Sequence, residues 1–598
     1  MARAINVNVL KNATSRDFSG GLNVADTELN LSSKYAVQLD NLVVGNDGSV
    51  AVRQGTQWFA SLSDLTEYEI VNMEYFYAHL VAVDEIGQVF TIDGTGSVIR
   101  IWDSAIAAAK RPGLTLWGPT TYCGFLEFNG ELIITNGTDK PLVVTSIFDV
   151  DYLADLATGS NINVPVALLS EKFSQHVVFA QGSMLYVSER NASGTWFGDV
   201  GVQFANNFDM KTYVTKGDTD IVGLATFKGY LLVRFQECTI PIQFVEVTDP
   251  SPALSLLVAP DSIIQNYGAI SHRTQQDLGD GSLSCDIVGV ASIALSKFTK
   301  VLAPDRPSRL ISPLLQKAIN SLSIESLNTY AFSIYDRRMA MYMLFLPDAG
   351  HSLQLNSTAY CYQKIPELKV ESWSRYTGWN WHCAARSSEG NIFFVREGTS
   401  EIFVLGNENT NPLNADFIGE QETFSDGTTF TDHTGFTPVV DIYDSGLPIR
   451  WTWELPWADL QHRGLSKTLR YIMMDAEGSS PFNIKVFVDN RRVRRSNGEP
   501  FSDGTLFTDG TGFIPPTEED FMYALSIDMV GKDRGGFGFD GYGNIYGGGN
   551  NTSTQLVTEA PTKGKIFKLR FEGESLESLK FVAITLMYQL GSIRSFGI

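Results

Sequence analysis

The chain has 598 residues, long enough for several hydrophobic cores. Its formal net charge of −22 and pI near 4.8 argue against a protein that grips nucleic acid chiefly through lysine and arginine contacts to phosphate. Five cysteines (Cys123, Cys238, Cys285, Cys361, Cys383) are odd in number and lack any Cys-x-x-Cys spacing, so no disulfide framework is expected, and synthesis in a reducing cytoplasm is. The N-terminus has no apolar run of signal-peptide length, and no stretch of about eighteen apolar residues predicts a membrane-spanning helix.

In chain order, the first informative stretch is FSGGLNVADTELNLSSKYAVQLDNLVVGNDGSVAVRQGT, residues 18–56. A Ser19-Gly20-Gly21 turn opens it, and the polar segment Ser19 to Leu31 is expected to be extended and to pack on the C-terminal sheet or a neighbouring subunit. Two apolar runs, Leu42-Val43-Val44 and Val50-Ala51-Val52, flank Asn46-Asp47-Gly48. An Asp-Gly pair between such runs predicts a β-hairpin, because the turn needs backbone angles that glycine adopts without strain.

From residue 61 to 406 short strands alternate with glycine-centred turns. A polar residue, glycine and an alternating apolar run recur at Gly87, Gly130, Gly182, Gly229 and Gly390. The first four are spaced at roughly 40–50 residues, the period of four-stranded propeller blades. Separate β-sandwiches give similar turn signals, but the period favours a degenerate β-propeller with insertions. One insertion, residues 309–322, carries apolar residues at helical spacing (Leu310, Leu314, Leu315, Ala318, Ile319, Leu322) with Pro313 in its first turn, and predicts an amphipathic packing helix.

Past residue 407 the chain reads as a β-rich, sandwich-like C-terminal region. A turn module at Phe424–Phe436 is echoed at Phe501–Phe513. Its aspartates (Asp426, Asp432, Asp503, Asp509) do not follow EF-hand spacing, so no metal is expected. Arg491, Arg492, Arg494 and Arg495 form a basic cluster suited to subunit contact, solvent or DNA phosphate. A glycine-rich run, residues 531–551, satisfies Gly-x-Gly-x-x-Gly without a following helix, which disfavours nucleotide binding. Its aromatics Phe537, Phe539, Tyr542 and Tyr546 suit a loop able to constrict a channel at a symmetry axis. Strands Lys565–Phe571 and Phe581–Tyr588 and a Gly591-Ser592-Ile593-Arg594 tail close the chain.

Enzyme signatures are weak. The segment Ser188 to Trp196 approaches a sialidase Asp box with the wrong spacing, and the seven histidines show no His-x-x-x-His pair. No Gly-x-Ser-x-Gly elbow or P-loop occurs. Trp379-Asn380-Trp381-His382-Cys383 suggests either a carbohydrate platform or, as we prefer, core packing. No catalytic residue and no cofactor is expected.

The order FSGGLN, LDNLVV, DGSVAVRQGT, together with a last strand ending in a tyrosine and a Gly-Ser-x-Arg tail, resembles the tail nozzle (tail tubular B) proteins of short-tailed bacteriophages. The resemblance implies a structural virion protein in the tail, a ring of six copies that continues the DNA ejection channel. Its implied partners are other copies of itself, a head–tail adaptor, a tail fibre or spike, and double-stranded DNA in transient, sequence-independent passage. The acidic balance fits that role, because a wall that repels phosphate lets DNA slide. The alternative is a virion-associated propeller that binds or cleaves host surface glycans.

Overall fold

The computed structural model describes residues 10–110, 117–118, 122–153, 164–196, 206–214, 220–247, 253–258, 262–296, 301–348, 358–365, 370–396, 398–406, 415–417, 446–460, 465–478, 482–488, 522–527, 554–575 and 579–591. The fold is all-β, and the chain divides into two compact units. One comprises residues 57–361 and 377–405, the other residues 1–56, 362–376 and 406–598.

The first unit is a β-propeller. Residues 70–102, 124–152, 169–209, 223–257 and 276–305 each fold into an antiparallel sheet of four sequential strands. A sixth blade opens with Phe332–Asp336 and Met341–Leu346, and the strand from Thr358 lies next. The seventh consists of Trp381–Arg386, Ile392–Arg396 and Glu401–Leu405, and its outer strand is Thr56–Ser61 from the start of the unit. The first strands of successive blades lie beside one another around the ring, and Trp381–Arg386 returns to the side of Ile70–Phe76. Ala60, Leu62, Phe90, Ile92, Phe393 and Ile402 fill the seam between the last blade and the first.

The recurrent glycine phrase marks hairpins but not one fixed place in the blade. Gly87 and Gly182 turn the second strand into the third, whereas Gly130, Gly229 and Gly390 turn the first into the second. In the first four blades the first hairpin is a two-residue turn with both φ angles positive: Tyr77-Ala78, Asn129-Gly130, Ser174-Gln175 and Lys228-Gly229. Two of the four lack glycine altogether, so a count of glycines passes over them.

The predicted helix forms over Ser312–Asn320 with proline in its first turn, entered through a 3-10 turn, Pro307–Ile311. It buries Leu315 and Ile319, the core-facing stripe. Two further helices, Ser104–Lys110 and Ile324–Tyr330, carry no sequence signal strong enough to predict them. Trp379 and Trp381 are buried among Phe345, Phe394 and Phe403, so the aromatic run is core and not a platform. Trp196, at the end of the Asp-box look-alike, stacks on Phe179 at 4.6 Å. The five cysteines are buried free thiols.

Among the described residues the second unit has a short parallel strand pair and two large sheets. In one, the last strand, Leu579–Leu590, pairs with Lys467–Gly478 along one edge and with two N-terminal pieces along the other. Val50–Phe581 and Ala51–Lys580 form one junction; Lys11–Ser15 runs antiparallel to Ile584–Tyr588 in the other. The second sheet runs Val370–Thr377, Gln38–Asp40, Gly446–Glu454, Phe567–Ser575, Phe482–Val488, Met522–Ile527. Phe581 of the first sheet packs on Trp451, Trp453 and Phe482 of the second, with ring centroids 5.3–5.4 Å apart, and these aromatics form the core between the sheets.

The N-terminal stretch belongs to both sheets. Gln38–Asp40 lies in the second and Leu42–Val44 in the first, so the chain changes sheets within the single residue Asn41. Asn41 adopts φ 56, the left-handed region that asparagine tolerates better than most side chains. Its amide donates to the carbonyl of Arg450 at 2.7 Å and accepts from Nε of the buried Arg53 at 3.0 Å. Next to it, Arg375 grips Asp40 through two bonds of 2.7 Å.

The expected hairpin forms between Leu42–Val44 and Val50–Val52. Partial burial opposes ionisation of Asp47 in its turn, but bonds from Lys580 (2.8 Å) and Ser49 outweigh this and hold the carboxyl down at about 2. The expectation that Ser19 to Leu31 is extended throughout needs correction. Gly21–Leu22 is a strand, parallel to Tyr35–Ala36, but Glu28–Asn30 forms a 3-10 turn. The segment does dock on this unit's sheets: Phe18 meets Trp453 edge-on at 4.8 Å, and Glu28 pairs with Lys568 at 3.1 Å. Gly21, at φ 62, lies so close to Ser372 that a Cβ would sit 2.7 Å from its own.

Replacing Asn41 tests the pivot. Asn41→Ala removes the Nε bond of the buried Arg53, which keeps its bond to the Gln54 carbonyl, and strains the backbone, and should destabilise this unit by about 1–3 kcal/mol in chemical denaturation. Asn41→Gly keeps the backbone relaxed and should lose less. Equal losses in the two variants would show that φ at this position carries no cost.

Candidate axial site

The first strands of the blades face the propeller axis, and they place several charged side chains there. Ile70–Phe76 carries Glu74, Gly124–Phe128 carries Glu127, Leu169–Phe173 carries Glu171, Gln276–Asp277 carries Asp277, and Trp381–Arg386 carries Arg386. Glu74 and Glu171 keep some contact with solvent, yet protein surrounds both. Burial pushes each carboxyl up to about 7. Around Glu74 the charges that act are Arg386, which lowers the value, and Glu127, which raises it. Around Glu171 it is Asp277. These are two separate acidic neighbourhoods and not one paired dyad.

Two cavities occupy this region. The larger, about 510 Å³, has Leu168, Ile221, Ser271, Asn136, Ile324 and Glu325 among its lining residues. The smaller, about 190 Å³, is more polar, with Asn72, Glu74, Gln275, Gln276, Arg273 and Ser333 in its wall. Tyr122 and His272 line both. The helix Ile324–Tyr330, capped by Ser323 through a bond from the Ser326 amide, presents Ile324, Glu325, Asn328 and Thr329 to the larger cavity.

Arg273 ties the region together. It donates to the carbonyl of Thr329 at 3.1 Å and to that of His382 at 2.7 Å, and its guanidinium lies over the rings of Tyr122 and Phe332. Several of the titratable groups around it are shifted toward their neutral forms. Burial and the Arg273 charge bring His382 down to about 3, and burial raises the Cys123 and Cys383 thiols and the Tyr122 phenol. His272 is brought down to about 4 by burial and by Arg234. Of these positions only His382 and Cys383 stood out in the sequence, as the end of the aromatic run 379–383. The positions are spread from residue 122 to residue 383, partly on blade strands and partly on the segments between blades, and no spacing along the chain reveals such a set.

Arg491, Arg492, Arg494, Arg495, Phe537, Phe539, Tyr542 and Tyr546 fall outside the described residues, as do both copies of the turn module with Asp426, Asp432, Asp503 and Asp509. Among the described residues no group of three or more histidines, cysteines, aspartates or glutamates is arranged to hold a metal ion. No helix among them is long and apolar enough to cross a membrane.

No family model matches the chain, and no curated protein matches it. Among solved structures the chain is similar to the Pan2 WD40 domain of Neurospora crassa, at 8% identity and TM-score 0.32 over 59% of this chain and 97% of that one. It is similar to PorZ of Porphyromonas gingivalis at 11% identity and TM-score 0.34, over 57% of this chain and 38% of that one. It is also similar to a streptogramin B lyase at 11% identity and TM-score 0.33, over 59% and 98%. Likeness this low adds nothing to what the strand pairings establish.

The raised carboxyls make a pH test. A carboxyl at about 7 in the folded chain and near 4.5 when unfolded favours folding below pH 4.5, and that contribution is lost as pH rises through 7. Glu74→Gln and Glu171→Gln should therefore stabilise the propeller at pH 8, by about 1–3 kcal/mol each once channel solvent is allowed for, and change little at pH 4.5. Denaturation curves at the two pH values check this; a gain of the same size at both would mean that ionisation is not its source.

Proposed function

We propose that the chain is a structural subunit of a short-tailed phage tail, a nozzle-type protein that assembles as a ring of six around the DNA ejection channel. The observation that carries the reading concerns the segments whose sequence resembles that family. The stretch 18–56 and the last strand, at opposite ends of the sequence, lie together in one unit and form its central pairings, Val50 on Phe581 and the Asn41–Arg53 pivot between sheets. The resemblance therefore falls on residues that determine how this unit folds, not on variable surface.

The propeller's own axis is not the DNA conduit in this reading. Its larger cavity has the volume of a cube about 8 Å on edge, while the major groove of a B-form duplex alone is about 12 Å wide. A passage for DNA must be enclosed by several copies, and the excess of carboxylates suits its wall. Adaptor and fibre or spike contacts follow from the same reading, as does location in the virion tail. In this reading the role is structural rather than catalytic.

Negative-stain electron microscopy and native mass spectrometry of the purified chain, alone and with the adaptor, test the proposal. The expected result is a six-fold ring or tube with an open centre. Monomers under both conditions that bind or cleave host polysaccharide would overturn it in favour of the glycan-directed alternative.

A further inference from the structure

Two separate pieces of chain cover one edge of the last strand, Leu579–Leu590, and they are held there by different means. Val50–Val52 pairs at Lys580 and Phe581 and sinks Val50 and Val52 into the core, 1% and 5% exposed. Lys11–Ser15 pairs with Ile584–Tyr588 over five residues, yet none of its side chains is buried. The sequence KNATS has no large apolar side chain to bury. Its hold is chiefly the backbone ladder. At the surface the Thr14 hydroxyl lies 2.9 Å from that of Thr585, and the Ser15 hydroxyl donates to Ser33 at 3.2 Å.

Anchoring changes abruptly at Phe18, which is buried against Trp453 and whose amide donates to the Gly48 carbonyl at 2.9 Å. Arg16 and Asp17, the two residues between strand and anchor, are exposed. The bond that the Asp17 carboxylate accepts from the Ser19 amide, at 2.9 Å, is local to the link. Rotation at Arg16 and Asp17 therefore redirects the strand and leaves the strap in place.

A vacated slot would present the outward backbone groups of residues 584–588 to water as an unpaired sheet edge, a template for an extended segment in the right register. The same strand from another copy fits it without any new contact, because exchange keeps every ladder bond and both hydroxyl contacts and alters only the link. We propose that Lys11–Ser15 is exchanged between copies of the chain, each laying this strand on Ile584–Tyr588 of the next. One-way passage from copy to copy is a heterologous contact that closes a ring, whereas reciprocal exchange stops at a pair. The inference rests on the ring assembly proposed above and names the element that ties its subunits together.

Cysteines at opposed positions of the ladder read the arrangement directly. Thr14 and Thr585 are cross-strand partners, so Thr14→Cys and Thr585→Cys bring two thiols to the spacing a disulfide needs, while the five native cysteines are buried and compete poorly. The full-length double variant is assembled, oxidised mildly and run on a non-reducing denaturing gel, and native mass spectrometry of the same sample reports its oligomeric state. The expected result is a ladder of covalently joined chains that collapses to one band on reduction. The two single variants, co-expressed, should give covalent pairs that neither gives alone. An assembled ring in which the double variant bridges only within single chains, or forms no bridge, would overturn the exchange and leave the ring reading standing. Covalent pairs and nothing larger from the double variant would show reciprocal exchange and overturn the one-way form. A chain that stays monomeric and bridges within itself overturns both.

Discussion

A blade of four strands has two apolar faces and can bury them only against its neighbours, so a propeller is stable as a closed ring and exposed as an open one. In this protein the closing contact is the strand Thr56–Ser61, which completes the seventh blade from the opposite end of the unit. Without it the edge of Glu401–Leu405 would be unpaired, and the seam holding Leu62, Phe90, Ile92 and Phe393 would lose its cover. The same stretch of chain has just supplied the pivot of the other unit. From Phe18 to Ser61, one continuous segment sets a strap, crosses between two sheets, makes a hairpin and closes a ring.

That economy has a physical basis in the backbone. Between Asp40 and Leu42 the chain must leave one sheet and enter the other, and a single left-handed residue achieves this without a loop. Asparagine serves because it tolerates the angle and its amide has both a donor and an acceptor to spend on the strands it leaves. Arg53 fills the space behind the crossing, bonded to the Asn41 carboxamide and stacked over Tyr376. A buried arginine would be costly elsewhere; here the crossing leaves carbonyl and amide oxygens that need donors.

The all-β class and the propeller were legible in the sequence because strand alternation and turn residues are local signals. The hairpin around Asp47-Gly48 and the helix with Pro313 in its first turn were legible for the same reason. Phase within the blade was not, since Tyr77-Ala78 and Ser174-Gln175 make left-handed turns without glycine, held by the pairing of the strands around them. The 3-10 turn at Glu28–Asn30 was missed because its sequence is polar and short, and its position is set by Lys568, distant in the chain. The axial set was hidden for a stronger reason: Glu74, Tyr122, His272 and Arg273 converge only after the ring closes.

The contrast between the two kinds of charge in this molecule bears on how it works. Along the whole sequence acids outnumber bases, giving the net charge of −22. The few charges at the propeller axis are held where burial changes their chemistry: Glu74 and Glu171 take up protons near neutrality, while His272 and His382 refuse them. The ring closes through apolar seams and strand pairing, and the polar set at its axis is brought together only by that closure.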